Sequence, residues 1–114
     1  MKLQYKKYEI PLEVMDTPNK RNQGMMGRKN LLGGMIFIFP HVQELSFWMK
    51  NCLIPLDIIF VNDTTITAIS RNTTPCNTSS CPAYRGIGDK VIEVKGGMSN
   101  KLGLNVGDDL TFIS

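Results

Sequence analysis

The sequence predicts a mainly β fold, a single-domain β-sandwich or partly open barrel carrying one or two short helices. Two observations point there. About seven short segments read as strands, each an alternating or continuous apolar run bounded by Gly, Pro, Asn or Asp, and only two stretches read as helix. A chain of 114 residues fits one domain, assigned to 1–114, and neither a linker nor an internal repeat divides it.

The elements follow in order. Tyr8, Ile10, Leu12 and Val14 alternate with other residues, the period of a strand with one buried face. Asp16-Thr17-Pro18 reads as an N-cap followed by proline in the first turn, opening a short helix through about Arg28. Gly24 falls inside that helix, where glycine costs about 1 kcal/mol relative to alanine, so it implies close packing on another backbone. Arg21 and Arg28, two turns apart, emerge on nearly one face. Either their stems cover apolar surface while their heads reach water, or the pair reaches a carboxylate or a ligand.

Gly33-Gly34 marks a turn, and Met35 to Phe39 is an apolar strand stopped by Pro40, with His41 in the loop beyond. Leu45 to Asn51 reads as another strand, Pro55 interrupts, and Leu56 to Val61 follows. Asn62-Asp63 is a hairpin turn into Thr65 to Ser70. Residues 72–88 form a loop rich in Thr, Ser, Pro, Asn and Gly, too long for a mere connector. Val91 to Val94 returns to strand, Ser99 to Leu102 makes one or two helical turns, and Leu110 to Ile113 closes the domain after Gly107-Asp108.

Hydrophobic residues at 42% and charged residues at 20% match an ordinary globular domain. The net charge of +3 comes from scattered pairs such as Lys6-Lys7 and Arg28-Lys29, which gives no basis for nucleic-acid binding. The N-terminus lacks an apolar signal region, and no run approaches the ~20 residues that span a bilayer, so no membrane association is expected and the chain as given reads as cytoplasmic. Cys76 and Cys81 share one loop and close a small ring worth roughly 2 kcal/mol if oxidised. A reducing cytoplasm favours thiols instead. Cys52 reads as a small hydrophobe.

The anomaly is Phe47-Trp48-Met49-Lys50-Asn51-Cys52-Leu53-Ile54-Pro55-Leu56-Asp57, which sets a lysine, an asparagine and an aspartate in the most apolar stretch of the chain. An unpartnered buried charge costs several kcal/mol, so these groups are paired or used. This block, with Asp16-Thr17-Pro18, Arg21, Gly24-Met25-Met26, Arg28, Gly34-Met35-Ile36-Phe37, Ile58-Ile59-Phe60, Cys76, Cys81-Pro82, Tyr84, Leu102-Gly103 and Gly107-Asp108, resembles the DUF192 family, also called UPF0127, over nearly the whole chain. The resemblance implies a compact β domain of jelly-roll-like architecture and no assigned activity. Many relatives look exported or lipid-anchored, whereas this chain begins directly at its first strand, which would suit a cytoplasmic or phage-encoded copy.

The leading functional expectation is a cleft for a small polar or anionic ligand, lined by Arg21, Arg28, Lys50, Asn51 and Asp57, with Cys76 and Tyr84 of the long loop as a lid. Against it stands a purely structural role, in which Asp57 pairs with Lys50 or an arginine and locks the helix to the sheet. A second class is an enzyme using Lys50 and Asp57 as a proton-transfer pair or Cys76 as a nucleophile. No catalytic set is assigned, because the single histidine, His41, stands in no Ser-His-Asp order. A metal on His41, Cys76 and Cys81 would need separated loops to converge, and no cofactor is indicated. A third class is a protein-interaction module using a sheet edge or the 72–88 loop, marked by exposed aromatics around Trp48 and Tyr84.

Overall fold

The computed structural model describes residues 1–114. Seven strands and two short helices follow one another as β1 (Lys2–Tyr5), β2 (Tyr8–Met15), α1 (Pro18–Gln23), β3 (Gly34–Trp48), β4 (Leu56–Asn62), β5 (Thr65–Thr73), β6 (Ala83–Lys95), α2 (Met98–Leu102) and β7 (Thr111–Ile113). The strands make one sheet in the order β5-β4-β6-β3-β2-β1-β7, curled into an open half-barrel. All neighbours are antiparallel except β2 and β3, which run parallel because α1 carries the chain back between them. No helix is long and apolar enough to cross a membrane.

Several boundaries differ from those read off the sequence. β1 was not expected, since only Leu3 of its four residues is fully buried and gives no period. Thr17 caps α1, accepting from the Lys20 amide at 3.2 Å, but the helix ends at Gln23 rather than near Arg28. Gly24 ends it with φ of 44°, and the position of its missing Cβ lies 3.2 Å from the Phe37 ring, so the close neighbour is an aromatic side chain and not a backbone. Pro40 does not stop β3. It falls between Ile38 and Gln43, where the register with β6 breaks, so no ladder bond is lost by its missing N–H. His41 therefore lies within β3, exposed. β6 likewise extends back to Ala83, which shortens the long loop to residues 74–82.

The central strands are buried on both faces. Leu56, Ile58 and Phe60 of β4, with Val91 of β6 and Met35 and Phe37 of β3, enter one core, which Met25, Leu31, Met49 and Cys52 cover. Ile59, Val61, Ile92, Val94 and Ile36 enter the other, closed by Leu3, Leu102, Leu104 and Leu110. β6 also passes close to the end of β4: a Cβ on Gly88 would lie 2.2 Å from the Val61 carbonyl oxygen.

Asp57 shares its face with Ile59 and Val61 and is fully buried. Its Oδ1 accepts from the amides of Asn72 at 2.7 Å and Gly97 at 3.2 Å. Its Oδ2 accepts from the amide and hydroxyl of Ser99 at 2.8 and 2.6 Å. Gly97, the N-cap of α2, has no side chain to supply, so an aspartate from β4 caps the helix across the fold. The Ser99 hydroxyl in turn accepts from Arg71 at 2.9 Å, and Arg71 also holds the Leu104 carbonyl at 2.7 Å. Burial pushes the Asp57 pKa upward, but these donors outweigh it and the net value lies below the ordinary 3.8.

Asp57→Asn replaces two acceptor oxygens by one and turns an N–H₂ toward backbone donors, so urea denaturation at neutral pH is expected to show a loss of roughly 2–4 kcal/mol. Because the folded pKa is depressed, the stability that Asp57 contributes is present above about pH 3.8 and lost as pH falls through its folded value. The variant's acid unfolding should lack that component. Gly88→Ala is expected to cost roughly 2 kcal/mol or more, since the neighbour that must yield is backbone.

Candidate functional site

On the face opposite Asp57, α1 is too short to cover the sheet. None of its six residues is buried, and Met25 and Leu31 in the connection to β3 do the packing instead. A cleft of about 440 Å³ is left between α1, the Lys50 turn and the β3–β6 ladder. Its walls are aromatic. The Phe47 ring stands edge-on to Phe37 at a centroid distance of 4.9 Å and to Phe39 at 6.2 Å, and the cleft also meets Trp48, Met25 and Met26.

Two cations stand on these walls. Arg21 donates from Nη1 to the Ile38 carbonyl at 2.9 Å and lays its guanidinium over the Phe39 ring at 5.1 Å. The Lys50 ammonium sits over the Trp48 ring at 5.1 Å and makes no ion pair. Lys50 belongs to a tight turn in which the Cys52 amide donates to the Met49 carbonyl at 3.1 Å and Asn51 takes φ of 59°, a conformation asparagine tolerates. The Asn51 carbonyl accepts from the Gly27 amide at 2.9 Å, and its amide donates to the Cys76 carbonyl at 2.8 Å. The turn is thus clamped between the α1 connection and the 74–82 loop, whose Cys76 and Cys81 are joined in a disulfide, not left as thiols; their Cα atoms lie 5.8 Å apart.

The floor holds a residue that the sequence reading passed over. Glu93 on β6, opposite Met35 of β3 and Ile58 of β4, is only 4% exposed and lines the cleft. Its carboxyl has no hydrogen-bond or ion-pair partner, and burial alone pushes its pKa up to about 8. Cys52, also at the cleft, has its thiol pushed up to about 11, first by burial and then by the negative charge of Glu93. At neutral pH the cleft floor is therefore a protonated acid beside a protonated thiol, with one guanidinium and one ammonium charge on the walls.

Of the residues singled out by sequence, the structure brings Arg21 and Lys50 to this cleft. It sends the others elsewhere. Arg28 lies beyond the end of α1 and forms a two-point pair with Glu13, with Nη2 to Oε2 at 2.9 Å. That arginine is the first cause holding the Glu13 carboxyl below its usual range. Asn51 acts through its backbone, with its side chain exposed. Asp57 faces the other core and pairs with amides and a hydroxyl, not with Lys50 or an arginine. Cys76 supports the turn from behind, bonded to Cys81, and so presents no thiolate in this state. Tyr84 sits beside Phe47 in the β3–β6 ladder, half-buried against the same core but outside the cleft wall. Glu93 carried the same signal as Asp57, a carboxylate inside an apolar run, in Val91-Ile92-Glu93-Val94.

The DUF192 family model, an uncharacterized ACR, matches residues 1–112. A crystal structure of a protein of unknown function from Novosphingobium aromaticivorans is similar at 30% identity and a TM-score of 0.85, covering 97% of this chain and 84% of its own. A protein from Sinorhizobium meliloti 1021, provisionally described as a transcription regulator, is similar at 30% identity and a TM-score of 0.84, covering 96% of this chain and 89% of its own. No protein of curated function matches the sequence.

The Glu93 environment sets a pH dependence opposite in sign to that of Asp57. Above about pH 4.5 the unfolded chain ionises this carboxyl while the folded chain keeps it protonated up to about pH 8. Stability should therefore fall as pH rises through that window, by up to about 1.4 kcal/mol per unit. Glu93→Gln removes the cost. Urea midpoints should be equal for the two proteins near pH 4 and higher for the variant at pH 8; coincident midpoints at both would contradict a neutral buried Glu93.

Proposed function

The chain belongs to the DUF192 family, and from that premise we propose that it is a small accessory domain that binds a small polar or anionic organic ligand in the cleft between α1, the Lys50 turn and the β3–β6 ladder. One observation carries the reading. A domain that caps a helix by sending Asp57 across the fold leaves Glu93 on the other face without any partner, and does so where the surface is concave, aromatic and flanked by cations. The carboxyl has no protein partner but reaches the cleft, where a ligand can supply the hydrogen bonds that the protein does not.

The chemistry of the walls describes the ligand in outline. An apolar body of modest size packs on Phe37, Phe47 and Met25, a polar group reaches Glu93, and an anionic group meets Arg21 and Lys50. A cleft of about 440 Å³ is within the range of small-molecule sites, roughly 300–1,000 Å³. The catalytic alternatives draw less support. Lys50 and Asp57 lie on opposite sides of the sheet and make no proton-transfer pair, Cys76 is bonded to Cys81, and the Cys52 thiol is held protonated. The exposed Trp48 is a wall of the same cleft, so a ligand site uses it as readily as a protein partner does.

A thermal-shift screen over carboxylates, amino acids, phosphates and sugars should find a compound that raises the melting temperature of the wild type and of Arg28→Ala. The shift should be absent or much reduced in Arg21→Ala and Lys50→Ala. Equal shifts in all four proteins would place the binding elsewhere.

A further inference from the structure

The three ionisable groups of the cleft, two cations and one neutral buried acid, are arranged by depth, and that arrangement selects among ligands. Glu93 is on the floor, nine-tenths or more buried, while Arg21 and Lys50 are half-buried on the walls and neither pairs with it. We propose that the cleft takes a zwitterionic primary amine of the amino-acid type, with its ammonium on the Glu93 carboxylate, its apolar side chain against Phe37, Phe47 and Met25, and its carboxylate toward Arg21 and Lys50. This rests on the reading of the cleft as a ligand site and narrows it to one chemical class.

Each simpler ligand leaves one of the three groups unused or meets it unfavourably. A plain anion would satisfy the cations and leave the buried acid as it is. A plain amine would satisfy Glu93 but would pass two cations on its way to the floor. A zwitterion answers both ends. Charge-assisted hydrogen bonds from an ammonium to a carboxylate are about twice as strong as neutral ones, so the ammonium contact favours the ionised form of Glu93.

Ionising it has a measurable consequence. The titratable and charged groups that face Glu93 are few: the Cys52 thiol beside it, and Arg21 and Lys50 on the walls, whereas its register neighbours Met35 and Ile58 bring none. In the free protein Glu93 stays protonated up to about pH 8. An ammonium ligand binding at pH 7 converts the carboxylic acid to a carboxylate, and the proton leaves to the buffer. The number of protons released approaches one per ligand.

Isothermal titration calorimetry at pH 7 in phosphate and in Tris tests this with four probes: L-phenylalanine, L-methionine, 2-phenylethylamine and 3-phenylpropionate. At least one of the two amino acids should bind more tightly than either single-ended compound, and its apparent enthalpy should differ between the buffers by the ionisation enthalpy of the released proton. Glu93→Gln should bind that amino acid about 10- to 100-fold more weakly and lose the buffer dependence, while 3-phenylpropionate should be indifferent to the substitution. Overturning results are an amino acid that binds with no proton exchange, a 3-phenylpropionate affinity equal to or above that of both amino acids, or no binding of either amino acid. In those cases the cleft reading stands or falls separately, on whether any compound of the wider screen depends on Arg21 and Lys50.

Discussion

The central strands of this domain are buried on both faces, and the rest of the structure answers to that constraint. Where β4 runs beside Val91–Val94 of β6, both faces are packed with apolar side chains and little water reaches a charge, so a carboxylate placed there must collect protein donors or give up its charge. The chain places two, almost back to back. Asp57 stands opposite Val94, and Glu93 stands opposite Ile58, one position along the same ladder and on the opposite face. They meet the constraint in opposite ways.

Asp57 resolves it by gathering donors, and in doing so it decides where α2 lies. The helix begins at a glycine with no capping side chain, so its amides are satisfied only when it docks against β4. Docking brings Leu102 and Leu104 onto the core of that face, with Arg71 tying the far end of the helix to β5. The other face is closed by weaker means, a six-residue helix with no buried residue, a methionine-bearing connection, and a four-residue turn braced by Cys76. That lighter cover leaves an opening over Glu93. The cleft and its buried acid are thus two results of one asymmetry: one face was given a cap and the other was not.

Much of the fold is legible in the sequence because strand periodicity and turn residues act locally. Leu56 to Val61 matches the structure closely, as does the helix after Gly97, and the hairpin turn falls one residue further on, at Asp63-Thr64. The errors arose where a tertiary contact overrode a local rule. Pro40 is tolerated inside β3 because it coincides with a break in register, and α1 stops at Gly24 because the chain must turn over the Phe37 ring. At the cleft, Lys50 stands out in the sequence as a cation in an apolar run and Arg21 as one of two arginines spaced along a short helix, yet which face Asp57 occupied relative to Lys50 depended on the turn at Met49–Cys52 and on Pro55, and no period runs through those residues. Glu93 was hidden in a four-residue run that read simply as strand, although its spacing already set it on the opposite face from Ile92 and Val94.

What distinguishes this account from a generic surface groove is the state of one carboxyl group in the free protein. A pH titration of the side-chain carboxyl ¹³C resonances in glutamate-labelled protein, with Glu93→Gln to assign the signal, measures it without reference to any ligand. The Glu93 signal is expected to move with a midpoint near 8, far above the ordinary 4.5 of a glutamate. A midpoint close to the ordinary 4.5 would mean that the carboxyl is solvated or paired, and that the cleft does not hold an acid awaiting a partner.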